Sequence, residues 1–159
     1  MNAAMIEGLH QRSAHFEVMH HRPSYTAIQE AVSLGLPAAR LMKPILLDSA
    51  NGHLLAVIPG NRHLDLRRVR ALLEDRTVHL ATEFEIERDF PQYELGALPP
   101  LGSMLGIPLI VDPEVMAQTS AVFAASHHES VRGSLAEMFD GEEVTLARIT
   151  RDGSWVVAP

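Results

Sequence analysis

The chain has no cysteine in its 159 residues. Disulfide bridges, thiolate zinc sites and a cysteine nucleophile are therefore excluded. Positive charge is also scarce. Lys and Arg number 13 against 20 Asp and Glu, a formal charge of -7. That balance argues against a protein held on nucleic acid by bulk charge, and no DNA partner is expected, although a small basic patch touching one RNA end remains compatible with it. No apolar run approaches the length of a membrane span. Residues 1–10 show no basic segment followed by a long apolar run, so no signal peptide and no membrane partner are expected, and the reading is of a cytoplasmic protein. Internal repeats and low-complexity segments are missing. The sequence also lacks a G-x-S-x-G elbow, an H-E-x-x-H pair, a phosphate loop and a dinucleotide fingerprint. Nine histidines are present, but His20-His21 and His127-His128 are adjacent pairs, which rarely aim at one ion. No metal and no cofactor is expected. His10, His15 and His53 read as surface residues.

What is there centres on Phe90-Pro91-Gln92-Tyr93-Glu94-Leu95-Gly96-Ala97-Leu98-Pro99-Pro100-Leu101-Gly102. It is too apolar for an ordinary exposed loop and too rich in Pro and Gly for a helix or central strand. Gly96 and Gly102 permit backbone angles closed to other residues, and Pro99 and Pro100 stiffen the chain between them. Such a loop can present bare amides to a developing oxyanion or a base edge. Taken alone, a loop of this kind is more often a structural turn between a helix and a strand.

The rest of the chain fits one domain, 1–159, with a sizeable core. Residues 1 to about 14 predict a short helix or loose arm, and His15 to Met19 a short strand. Thr26 with Gln29 has capping-box spacing and opens a helix that Gly35 and Pro37 end. Arg40 to Asp48 and His53 to Ile58 read as strands of a hairpin turning at Asn51-Gly52. Strand alternation places Leu41, Lys43, Ile45 and Leu47 on one face, so Lys43 must snorkel, pair with an anion or lose its charge. Pro44 cannot donate to a ladder, which predicts an edge or a bulge beside Lys43.

Leu64 to Glu74 predicts a helix with Leu66, Val69, Leu72 and Leu73 on its apolar side. Arg62, Arg67, Arg68, Arg70 and Arg76 form the one dense basic cluster, suited to RNA phosphates or simply to a solvated helix face. Thr77 to Ala81 reads as a strand, and Thr82 with Glu85 as a second capping box. Strands follow at Ile107 to Val111, Ala121 to Ala125 and Ser130 to Arg132. A helix is expected from Leu135, and a hairpin over Val144 to Ala158 turning at Asp152-Gly153 with Trp155 inward. Strands and helices without a regular βαβ rhythm predict an α+β fold around a mixed, curved sheet.

Several pieces in this order resemble a known family. They are Tyr25-Thr26-Ala27 with Gln29-Glu30-Ala31, Met42-Lys43, Leu55-Ala56-Val57-Ile58-Pro59, Leu64-Asp65-Leu66 and Leu80-Ala81-Thr82-Glu83. Phe90-Pro91, Gly96 to Gly102, Ile107 to Asp112 and the Phe123-to-His128 turn complete the set. The chain resembles, over about residues 20–140, the YbaK-like family, also called the prolyl-tRNA-synthetase-associated domain. The resemblance implies a compact α/β domain around a mixed, partly closed sheet that hydrolyses the ester of mischarged aminoacyl-tRNA. It implies the 3′ end of aminoacyl-tRNA as partner, and an aminoacyl-tRNA synthetase as a further one. The family lysine matches Lys43, the pocket loop Gly96 to Gly102 with Pro99, Pro100 and Leu101, and the pocket aspartate Asp112. The family's Ala-Gly-Thr-His turn corresponds to Ala125-Ser126-His127-His128. That match assigns the histidine to His128 and puts a Cβ at Ser126, where the backbone approaches substrate. Catalytic roles are accordingly expected for Lys43, His128 and the amides around Gly102. A non-catalytic binding module on the same fold is the alternative reading.

Overall fold

The computed structural model describes residues 3–151. It has an α+β fold, as the mixture of patterns predicts, with the strands divided between two sheets. A three-stranded antiparallel sheet has the order β1 (Phe16–His20), β7 (Glu129–Ser134), β6 (Ser120–Ala124). A five-stranded mixed sheet has the order β4 (His79–Leu80), β2 (Met42–Ser49), β3 (Gly52–Pro59), β5 (Leu109–Val111), β8 (Val144–Leu146). β2 and β3 form the expected hairpin, in register from Met42 opposite Pro59 to Ser49 opposite Gly52 with no bulge.

β3 explains the layering. Leu55 and Val57 face one apolar cluster, which also holds Phe123 and Val131 of the three-stranded sheet. Leu54, Ala56 and Ile58 face a second cluster with Val69 and Ile110. A strand buried on both faces reads as a continuous apolar run, which is how Leu54 to Ile58 appears in the sequence. The N-terminal segment is helix α1 (Ala3–Gln11), docked through Met5 and Leu9, four residues apart and fully buried. Each such side chain contributes roughly 1.5–3 kcal/mol of transfer free energy.

Helix α2 (Ala27–Leu34) is capped by Thr26, whose side chain accepts from Gln29 N, and ends at Gly35 with φ 69°. Gln29 Oε1 accepts from Tyr25 N rather than from the cap residue, so the reciprocal half of the box is shifted by one position. A 3₁₀ turn (Ala38–Arg40) precedes β2. Helix α3 (Leu66–Leu73) is capped by Asp65 and buries Val69. Leu72 and Leu73, expected on the packed side, stay exposed at 42% and 39%, because the helix contacts the sheet through the single row around Val69. Helix α4 (Glu83–Asp89) begins with the complete Thr82–Glu85 capping box. Three one-turn helices, α5 (Gly102–Leu105), α6 (Pro113–Met116) and α7 (Leu135–Met138), complete the set.

The edge predicted at Pro44 is local. β4 pairs with β2 only at Leu47 and Asp48, so β2 is interior there and open on that flank around Pro44. Val57, which faces Pro44, turns its carbonyl towards Asp112 N at 3.0 Å, away from β2. Pro44 thus occupies a pair that exchanges no hydrogen bonds, where the missing N–H is not required. β8 pairs in parallel with β5. The turn and return strand expected beyond Arg151 lie outside the described residues. Among the described residues, no helix is long and apolar enough to cross a membrane.

Candidate functional site

Between α2, the open flank of β2 and the loop that follows α4 lies a half-open cavity of about 470 Å³. It falls within the range of roughly 300–1,000 Å³ common for small-ligand sites. One wall is the start of α2, from Ser24 to Ile28 with Glu30. The floor is β2 from Met42 to Leu46. Leu80, Ala81 and Ile86 form a second wall, and Gly96, Leu98, Ser126 and His127 close the end. The lining is mostly apolar. Its charged side chains are Lys43 and Glu30.

Lys43 sits opposite Ile58 in the hairpin and is half-buried. Its Nζ donates to Arg62 O at 2.9 Å. Burial alone lowers its pKa from the ordinary lysine value. Instead of reaching free solvent or pairing with an anion, the amine rests partly desolvated on a neutral carbonyl.

Gly96 has φ 82° and closes the cavity beside Tyr25, whose carbonyl lies 3.6 Å from where a Cβ would stand. The turn carrying His127 is pinned from two sides. Ser24 N donates to His127 O at 2.8 Å and His21 N to His128 O at 2.9 Å. His127 N donates to Glu94 Oε2 at 2.8 Å, and His127 Nε2 lies 2.9 Å from Leu95 O. The His127 ring is tilted against Tyr25 at 4.6 Å between centroids. Ser126 Oγ donates to Glu129 Oε1 at 3.2 Å and accepts from His128 N at 3.2 Å, so the hydroxyl is used by the turn.

The sequence-selected residues therefore divide. Lys43, Gly96 and Ser126 line one cavity. His128 does not. Neighbours along such a turn point to opposite sides, and His128 lines a separate depression with Tyr93 and Glu94. Gly102 lies elsewhere too. It opens α5, lines a depression with Ser103 and Glu142, and its carbonyl accepts from Ile107 N. Pro99, Pro100 and Leu101 are buried and pack the loop against the core instead of lining the cavity. Asp112 is a buried anchor. It caps α6 through Glu114 N at 3.0 Å, and its Oδ2 accepts from Ile149 N at 3.1 Å and Thr150 Oγ1 at 3.3 Å.

Three residues that line the cavity were given no site role from the sequence: His127, Tyr25 and Glu30. His127 was visible only as half of an adjacent pair, where alternation decides which ring faces in. Glu30 was visible as an acid next to Ala31 on the packed side of a capped helix. His53 is not a surface residue as expected. Only 16% of its side chain is exposed, because it lies between the carboxylates of Asp48 and Asp89, with Nε2 2.7 Å from Asp89 Oδ2. Burial opposes its protonation, but the hydrogen bond it donates to Asp89 and the charge of Asp48 outweigh that, and its pKa is raised. Beside it, Asp48, His79 and Glu85 bring one ligand atom each within 4.8 Å of one another, the one grouping of this kind among the described residues.

Fold and cavity define an α+β domain with a half-open pocket holding one cation and one buried acid. The chain belongs to the aminoacyl-tRNA editing domain family, whose model matches residues 21–140. It is 28% identical over 130 residues to a proline–tRNA ligase of Fervidobacterium nodosum, covering 80% of this chain and 22% of the relative. A proline–tRNA ligase of Corynebacterium efficiens is 34% identical over 77 residues, 46% of this chain and 12% of the relative. The chain thus spans about a fifth or less of these ligases. Among solved structures, a proposed trans-editing enzyme for prolyl tRNA synthetase superposes with a TM-score of 0.81 at 19% identity, covering 94% of this chain and 96% of that one, which shows the shared fold.

Proposed function

We propose that this chain hydrolyses the ester of mischarged aminoacyl-tRNA as a trans-editing deacylase. The substrate is a small amino acid such as alanine on proline tRNA, and a synthetase is a further partner. The observation that carries this reading is Lys43, a partly desolvated ammonium on the floor of a mostly apolar cavity, with a carbonyl for a partner and, among the described residues, no carboxylate. An aminoacyl ester is already activated, so the site needs to position the ribose end, hold a water and stabilise an oxyanion more than it needs a nucleophile. Water adds to the ester carbonyl, the carbon–oxygen bond to the ribose breaks, and the ribose hydroxyl and the free amino acid leave.

Lys43 binds a terminal phosphate or steadies the developing negative charge. The ribose hydroxyl beside the ester helps activate the water. His127, the histidine that lines the cavity, orients it in the role first assigned to His128. Ser126 favours a second reading, a binding module without turnover, because its Cβ stands where the family carries glycine.

A panel of mischarged tRNAs tests both readings. Hydrolysis of one or two members, abolished in a folded Lys43→Ala variant, is expected. Binding without turnover would favour the module, and turnover undiminished in Lys43→Ala would remove Lys43 from the chemistry.

A further inference from the structure

The editing reading gives Lys43 a role and leaves the second charged residue of the cavity unused. Glu30 lies one turn into α2 and is 3% exposed, yet it lines the cavity. Its Oε2 accepts from Ser130 Oγ. Among the described residues this hydroxyl is its one side-chain donor, and no ion pair joins Glu30 to Lys43 or to any arginine. Behind Ser130, His21 Nε2 lies 2.9 Å from Ser130 Oγ, and His21 Nδ1 lies 2.7 Å from Arg22 O. This chain of groups crosses from α2 to the three-stranded sheet and fixes the carboxyl in place.

Glu30 is a buried carboxyl whose one direct donor is a hydroxyl, with the charge of His21 one group further off, so ionising it becomes easier when a cation reaches it directly. A purely structural tether between α2 and β7 would need only a neutral side chain on one end. The cavity instead holds an acid and a base that do not neutralise each other. A ligand that satisfies both carries a cation at one end and negative charge at the other. An aminoacyl ester has that pattern, because its α-amino group is largely protonated near pH 7 and its carbonyl oxygen gains negative charge as water adds.

We propose that Glu30 is the receptor for the α-ammonium group of the bound amino acid, held by Ser130 and His21, and so selects an α-amino acid ester over an uncharged acyl ester. The inference rests on the editing reading for the identity of the ligand alone.

Two stable analogues test it without turnover. They are 3′-alanylamino-3′-deoxyadenosine and its propionylamino counterpart, which lacks the ammonium. Wild-type protein is expected to bind the alanyl compound about 10- to 100-fold more tightly, the worth of one charge-assisted hydrogen bond. Glu30→Gln, which keeps the shape and the bond to Ser130, is expected to bind the two compounds equally while unfolding at no lower a temperature. Ser130→Ala is expected to narrow the preference without erasing it. Equal binding of the two compounds by wild type overturns the proposal, and so does a preference that survives in Glu30→Gln. Deacylation of alanyl-tRNA measured in parallel reports on the editing reading separately. Loss of turnover with the preference intact would sink that reading and leave the ammonium receptor standing.

Discussion

Lys43 Nζ donates to the carbonyl oxygen of Arg62 at 2.9 Å and has burial as the one cause of its lowered pKa. The ammonium is thus held by a group that cannot neutralise it. Replacing Lys43 with Met removes a desolvated charge and keeps the aliphatic stem. The variant is expected to lose deacylation and to melt no lower than wild type. A fall of several degrees in the melting temperature would show that the lysine serves the fold.

The two histidines of one turn should separate cleanly. His127 lines the cavity against Tyr25, while His128 faces the depression beside Tyr93. His127→Ala is expected to lower kcat/KM by about 10-fold or more, the scale on which loss of orientation acts. His128→Ala should change it less than about 2-fold. Steady-state deacylation of both variants checks this, and the reverse ranking would restore the role first given to His128.

Asp112 should matter for folding alone. It caps α6 and takes two further donors from Ile149 and Thr150. Losing a cap and leaving buried donors unmatched costs about 3 kcal/mol in Asp112→Ala. Urea unfolding measures the cost. The folded fraction should retain wild-type kcat.

Gly102→Ala tests whether that glycine is there for substrate or for packing. An added Cβ would stand 2.6 Å from Ile107 O and 3.0 Å from Leu109 Cβ. The strain is expected to cost about 1–3 kcal/mol. Activity per folded molecule should be unchanged, since the cavity is lined by other residues.

Glu30 also sets a pH dependence. Burial raises its pKa above the ordinary 4.5, against the lowering effects of the Ser130 hydrogen bond and the charge of His21. The folded protein therefore holds the proton more tightly than the unfolded chain does. The stability this contributes is complete below about pH 4.5 and is lost as pH rises through the folded-state pKa. Urea midpoints between pH 4 and pH 7 should show wild type losing ground to Glu30→Gln as pH rises. Parallel curves would contradict it.

Much of the fold was legible because local signals and burial agreed. Asn51-Gly52 placed the hairpin, Thr26 and Thr82 placed two helix starts, and the unbroken run Leu54 to Ile58 belonged to a strand buried on both faces. The candidate site was legible where a residue's chemistry clashed with its pattern, as for Lys43 among aliphatic neighbours. It was not legible where facing depends on contacts distant in sequence. The Gly-Pro loop is one segment, yet Gly96 reaches the cavity and Gly102 lies in a different depression, because buried Pro99, Pro100 and Leu101 carry the chain through the core between them. His53 is the same lesson for charge, since Asp48 and Asp89 approach it from other parts of the chain.

The break in pairing beside Pro44 has a bearing on how the protein behaves at high concentration. β4 covers β2 only at Leu47 and Asp48, so a length of that strand lies uncovered beside the pocket that a ligand must enter. Uncovered strands invite other chains to add to the sheet. Here the invitation is void at its centre, because the ring nitrogen turned to that side has no hydrogen to give. The entrance can stay open without becoming a seed for aggregation.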